Sequence, residues 1–153
     1  MCAPCVPGRV SGVALVAHVV LVDSSVWIDL LRDLKTAQTL ALRELLSRRE
    51  AALTAVIYQE ILQGAATPER YTKLQRYFRT LPFLNPAHPV KTWEAAAELY
   101  VRCRQRGFTP RSANDCLVAQ IALEHGVRLL HDDRDFVLMA QVEPRLKLFQ
   151  LAG

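Results

Sequence analysis

Apolar residues along this chain come in two rhythms, short unbroken runs and longer stretches spaced at three and four. The clearest run is Val19-Val20-Leu21-Val22, three of its four residues β-branched, which ends at Asp23. Such a run fits a strand buried on both faces of a parallel sheet. Beyond it Val26, Trp27, Leu30 and Leu31 fall at helical spacing, with Ser24 or Ser25 placed to cap that helix. Asp23 therefore stands where a buried strand hands over to a helix. That is the carboxyl edge of the sheet, where open α/β folds bind ligands.

The same two rhythms carry on to the end. After a polar break at Arg32-Asp33-Leu34-Lys35, residues 36–49 set Leu40, Leu42, Leu45 and Leu46 on or near one helical face. Ala51-Ala52-Leu53-Thr54 predicts a second strand, and Thr54 a cap for a helix over 55–64 that holds Glu60 beside its apolar face. Thr67-Pro68-Glu69 starts another helix with proline at its first position. Pro82-Phe83-Leu84-Asn85-Pro86 reads as a connector or short strand, and Pro89 opens a long helix that stops at Gly107. Ser112 begins a helix running to His125-Gly126, Val127-Arg128-Leu129-Leu130 is a further strand, and Arg145–Phe149 alternates like a last, edge strand. Strands that alternate with helices predict an α/β fold with a largely parallel sheet and helices on both faces.

Composition changes this picture little. A chain of 153 residues, 51% hydrophobic, fits one domain of ordinary size with a real core. Residues 1–17 read as an N-terminal extension, which a wrongly chosen start codon would also produce, and 18–153 as the domain proper. The apolar stretch from Gly12 is too short to span a bilayer, is interrupted by His18 and lacks a cleavage site, so neither a membrane anchor nor secretion is expected. Cys2 and Cys5 have C-x-x-C spacing without a second pair to complete a zinc site. With Cys103 and Cys116 they form no disulfide framework, which points to a reducing, cytoplasmic setting.

Charge adds more. The net charge is +4, and 15 of the 19 basic residues are arginine, the side chain suited to bidentate phosphate contacts. Arg70, Lys73, Arg76 and Arg79 interleave with aromatics, and Arg102, Arg104, Arg106 and Arg111 gather near the end of the long helix. These are candidates for contact with a nucleic-acid backbone, although a solvated face or a helix dipole explains them as well.

The acids are placed less casually. Asp23 leaves one strand, and His131-Asp132-Asp133-Arg134-Asp135 follows another with more aspartates than a turn needs. Asp115 completes a near-capping box with Ser112, yet Val118, Ala119 and Ala122 lie on its own helical face, which points it toward the sheet. Together with Glu60, carboxylates from four separate elements are expected to meet in one cleft at the carboxyl edge. Left uncompensated they would repel and their pKa values would rise. Hard cations such as Mg²⁺ or Mn²⁺ suit such ligands, and a site of that kind activates water for attack on a phosphodiester.

Four segments resemble the acidic motifs of PIN domains, with the VapC-type toxins of bacterial toxin–antitoxin pairs most similar. They are Asp23-Ser24-Ser25-Val26-Trp27-Ile28-Asp29-Leu30-Leu31, Tyr58-Gln59-Glu60-Ile61-Leu62-Gln63-Gly64-Ala65, Asn114-Asp115-Cys116-Leu117-Val118-Ala119 and Asp133-Arg134-Asp135-Phe136. The resemblance implies a three-layer α/β/α sandwich and a Mg²⁺-dependent endoribonuclease acting as a toxin, with Mn²⁺ a plausible substitute. It carries Asp23, Glu60, Asp115 and Asp133 over as catalytic metal ligands, Asp23 the central one, with Ser25 as a supporting hydroxyl. It implies an RNA substrate, a VapB-like antitoxin and a homodimer. This chain departs from the pattern at His131, where the family often has Ser or Thr. His131 would orient a water, contact phosphate or simply pack. Asp132 is an extra acid beside Asp133, and Asp135 reads as the cap of the next helix.

Three rival readings remain. The same fold could serve RNA maturation or decay, or act as a partner-binding module with a dispensable metal site. A phosphoacceptor receiver domain would need paired acids after the first strand and a lysine after a late one. Here serines follow Asp23, and Lys147 lies within the expected edge strand.

Overall fold

The structure, a computed structural model, describes residues 18–153. The expected extension over 1–17 and the Cys2–Cys5 pair lie outside the described residues. Three parallel strands, β1 (Val20–Val22), β2 (Ala51–Ala52) and β3 (Arg128–Leu130), lie in the order β2-β1-β3. Seven helices complete the described chain: α1 (Ser24–Leu31), α2 (Ala37–Ser47), α3 (Ala55–Gln63), α4 (Pro68–Phe78), α5 (Pro89–Gln105), α6 (Ala113–His125) and α7 (Arg134–Val142).

The all-apolar run places β1 in the middle. Its three residues are fully buried, which requires cover on both faces. Two sets of helices provide it. α1 packs on α2 and α3, and α3 on α4, while α5, α6 and α7 pack on one another. The result is the α/β/α layering expected of the sequence. Single bridges widen the sheet by one pairing at each edge, Leu53 with Phe83 and Leu129 with Leu148. The expected edge strand over 145–149 shrinks to that bridge. Its first half turns instead, Leu146 N donating to Glu143 O at 3.0 Å, and only Lys147 and Phe149 reach the ladder.

Helix starts follow the sequence closely. Thr36, Thr54, Thr67 and Ser112 cap α2, α3, α4 and α6 through their hydroxyls. Two starts differ from expectation. α1 is capped by Asp23, whose side chain accepts from Ser25 N, so both serines are already helical. α7 is capped by Asp133, which accepts from Asp135 N, so Asp135 lies within the first turn and is not the cap. In both cases an aspartate leaving a strand finds the unpaired N–H groups and positive end of the next helix directly above it. The near-capping box at α6 does not close, because Ser112 accepts from Asn114 N and no donor among the described residues reaches the Asp115 carboxylate.

β1 and β3 are in register, Val22 opposite Leu130, and Asp23 N donates to Leu130 O at 2.9 Å. The segments beginning at Asp23 and His131 therefore leave the sheet side by side. β1 lies between two strands that follow it in sequence, so the connections leave it toward opposite edges, the arrangement that opens a crevice at the strand ends. Trp27 fixes this corner. Its Nε1 donates to Val22 O at 3.1 Å and its ring meets Phe78 edge-on at 5.0 Å. Among the described residues no helix is long and apolar enough to cross a membrane.

Candidate active site

Asp23 is 4% exposed. Its Oδ2 accepts two bonds from Ser25, from N at 3.1 Å and from Oγ at 2.7 Å. Its Oδ1 is buried with no partner among the described residues. Burial pushes the carboxyl above its ordinary value against the two Ser25 bonds, and the charge of Glu60 pushes it further. Ser25 Oγ also accepts from Asp132 N at 3.2 Å, so one hydroxyl joins the ends of β1 and β3.

Asp115, on the first turn of α6, is half-buried. Its carboxyl is pushed up to about 7, first by burial and then by the charges of Asp23, Asp133, Glu60 and Asp135. Residues from the ends of β1 and β3 and from α3 and α7 thus act on one carboxyl of α6. The four acids carried over from the family resemblance face a common region and are not scattered over the molecule.

Two of them are also engaged elsewhere. Glu60 Oε1 accepts from Asn114 Nδ2 at 3.2 Å, which ties α3 to the start of α6. Asp133 Oδ1 accepts from Asp135 N at 2.9 Å and from Arg111 Nη2. Among the described residues no three His, Cys, Asp or Glu side chains are drawn close enough to hold a metal ion. Glu60 and Asp133 are each held by one oxygen, from Asn114 on one side and from Arg111 and Asp135 N on the other.

The residues around them sort clearly. Asp132 turns away, its Oδ1 accepting from Gln38 Nε2 of α2 at 3.0 Å. His131 Nδ1 accepts from Asp133 N at 3.2 Å, and its ring lies 5.3 Å from that of Phe136. Burial pushes its imidazole below the usual value, which suits an acceptor nitrogen. Asp135 is buried, and its Oδ2 accepts from Arg111 N at 2.9 Å and Nε at 3.3 Å. Arg102 donates to the buried Glu143, Arg104 lies over the Tyr100 ring at 5.5 Å, and Arg106 is exposed. The sequence reading did not find the bonds of Arg111 to Asp133 and Asp135 or of Asn114 to Glu60. Both donors lie in or just before the third motif, but nothing in the spacing says which acid each one meets.

The chemistry of this donor set fits a divalent cation. A buried carboxylate oxygen lacks a partner among the described residues, and a second carboxyl is pushed up to about 7 by burial and by its neighbours' charges. Either feature is costly unless a positive charge arrives from outside.

Comparison with known proteins agrees with this fold. A VapC ribonuclease of Mycobacterium bovis is 38% identical over 125 residues, covering 80% of this chain and 92% of its own. Ribonuclease VapC11 of Mycobacterium tuberculosis matches with the same identity and coverage. Among solved structures, VapBC2 of Rickettsia felis bound to a promoter DNA fragment superposes with a TM-score of 0.66 at 17% identity, over 86% of this chain and 97% of that one. FitAcB of Neisseria gonorrhoeae gives 0.60 at 15% identity, over 86% and 96%. At these identities the structural likeness is one of fold. The family model for the PIN domain matches residues 20–142, and with relatives this similar over most of its length, the chain belongs to the PIN domain family.

Proposed function

We propose that this protein is an endoribonuclease that hydrolyses RNA phosphodiester bonds at the carboxyl edge of its sheet, as the toxin of a toxin–antitoxin pair. The observation that carries this reading is the meeting of acids from four elements at one sheet edge, where Asp23 keeps a buried Oδ1 without a partner among the described residues and the charges of Asp23, Glu60, Asp133 and Asp135 all act on Asp115. Relatives 38% identical are named ribonucleases, which supports the reaction class, and the VapBC complex among the fold neighbours supports a VapB-like antitoxin as partner. We assign a cytoplasmic setting, a homodimer, a nuclease domain over 18–153 and an N-terminal extension over 1–17 to the same reading.

Asp23, Glu60, Asp115 and Asp133 would hold the cation, Mg²⁺ with Mn²⁺ as a substitute. When bound, such an ion supplies charge neutralisation for the leaving oxygen and eases generation of the attacking hydroxide. The chain's own residues do the rest. Ser25 fixes Asp23 Oδ2 and leaves Oδ1 for the site, while Asn114 holds Glu60 by one oxygen. His131 and the α7 start orient Asp133. Exposed Arg104 and Arg106 are available to the RNA backbone.

The test is cleavage of RNA by the full chain with Mg²⁺, with EDTA, and after Asp23→Asn, alongside a melting curve. The expected result is cleavage that requires the cation and disappears in Asp23→Asn while the fold persists. An active Asp23→Asn variant would refute the site. Toxicity is tested by expression with and without the neighbouring reading frame, growth arrest in its absence being the expected outcome.

A further inference from the structure

Arg111 sits one residue before the cap of α6 and reaches the start of α7 with three donors. Its backbone N and Nε both donate to Asp135 Oδ2, at 2.9 and 3.3 Å, and its Nη2 donates to Asp133 Oδ1. The two acids differ in their settings. Asp135 is buried at 5% exposure, and its closer donor is the backbone N of residue 111, which any side chain there would keep. Asp133 is partly exposed, already accepts Asp135 N on the same Oδ1, and receives no hydrogen bond on Oδ2 from the described residues.

A guanidinium whose side chain is 71% exposed gains little stability from ion pairs, because solvent screens them. Stability is therefore a poor explanation for a forked clamp across two carboxylates. Geometry is a better one. Asp115 and Asp133 lie on different helices, and Arg111 is covalently continuous with the first of those helices and bonded to the cap of the second. The fork matters too, since one planar group spans two acceptors where an ammonium would meet one.

We propose that Arg111 is a positioning residue of the acidic site. It locks Asp133 by Oδ1 and α7 by Asp135, so that Asp133 Oδ2 stays available to a divalent cation at a fixed distance from Asp115. The proposal rests on the reading of Asp133 as part of that site. It also gives Arg111 a different task from the RNA contact its charge suggested, because its guanidinium is committed to the protein's own carboxylates.

The test compares the wild-type full chain with Arg111→Gln and Arg111→Lys. Three quantities are read: Mn²⁺ affinity by calorimetry without RNA, kcat and KM for RNA cleavage, and melting temperature. Arg111→Gln is expected to lower both Mn²⁺ affinity and kcat by about tenfold or more, the scale of losing a group that orients a metal ligand. KM and the metal-free melting temperature should stay close to wild type. Arg111→Lys should recover only part of the loss, and it carries the same comparison if the Gln variant does not fold. A rise in KM with Mn²⁺ affinity and kcat unchanged would overturn the proposal in favour of an RNA contact. Unchanged values throughout, or full rescue by lysine, would overturn it too. A wild-type chain that binds no Mn²⁺ and cleaves no RNA would instead remove the reading of the site, and the role of Arg111 with it.

Discussion

Asp23 and Glu143 are each 4% exposed, and their carboxyls are displaced in opposite directions. Glu143 ends α7 between two arginines. Arg145 donates to it from Nε at 2.8 Å and Nη2 at 3.0 Å, and Arg102 from Nη2 at 3.1 Å. These bonds hold its carboxyl down at about 2 despite burial. Asp23 has a serine for company, an oxygen without a partner among the described residues, and an acid, Glu60, as the charge that acts on it. One buried carboxylate is complete within the chain and the other is not. Burial alone therefore marks neither function nor structure, and the sign of the surrounding charge separates the two.

Replacing each acid by its neutral amide should break the comparison in opposite ways. Asp23→Asn is expected to reduce RNA cleavage by at least about 100-fold, the upper end of what losing a supporting group costs. Its metal-free melting temperature should hold or rise, because an uncompensated buried charge is removed. Glu143→Gln should do the reverse. It should destabilise by about 1–3 kcal/mol, the range for hydrogen bonds to a charged group, while cleavage per folded molecule is kept. A variant pair in which Glu143→Gln is the inactive one would reverse the assignment.

Acidity sharpens the contrast through stability. Glu143 has a folded value of about 2 against an ordinary 4.5, so its contribution is complete above the ordinary value and is lost as the pH falls toward 2. Asp115 runs the other way. With a folded value of about 7 against 3.8, its contribution is complete below 3.8 and is lost progressively as the pH rises to about 7. Melting of the metal-free protein should therefore worsen through Glu143 as the pH falls from 4.5 toward 2, and through Asp115 as it rises from 3.8 to about 7. Added Mg²⁺ should restore the alkaline side only. A melting temperature that is flat from mildly acid to mildly alkaline pH would contradict the crowded state of Asp115.

The smallest expected effect belongs to Asp132. Its carboxylate faces Gln38 and not the cluster, so Asp132→Asn should change stability by no more than about 0.5 kcal/mol and leave cleavage nearly intact. An inactive Asp132→Asn with an active Asp133→Asn would exchange the two residues.

Much of this was legible in the sequence because it rests on local rules. The β-branched run made β1 a buried central strand. Thr54, Thr67, Pro68, Pro89 and Gly107 marked helix ends by hydroxyl caps, fixed φ or a positive φ, +82° at Gly107. Family motifs singled out the four acids among 15 in the chain. Tertiary choices were not legible. Which of Asp23, Ser24 and Ser25 caps α1 depends on how the strand end sits under the helix. At the start of α7, Asp133 takes the cap bond while Asp135 turns to Arg111, a partner more than twenty positions away that no local rule points to. The edge strand over 145–149 alternates correctly, yet Glu143 draws Arg145 into a turn and shortens it to one bridge.

Calorimetric titration of Mg²⁺ into the full chain, its Asp23→Asn variant and its Glu143→Gln variant tests the central claim most directly. Saturable binding by the wild type and by Glu143→Gln, lost in Asp23→Asn, is the predicted result. A wild type that takes up no cation, or an Asp23→Asn variant that binds as well as wild type, would contradict it.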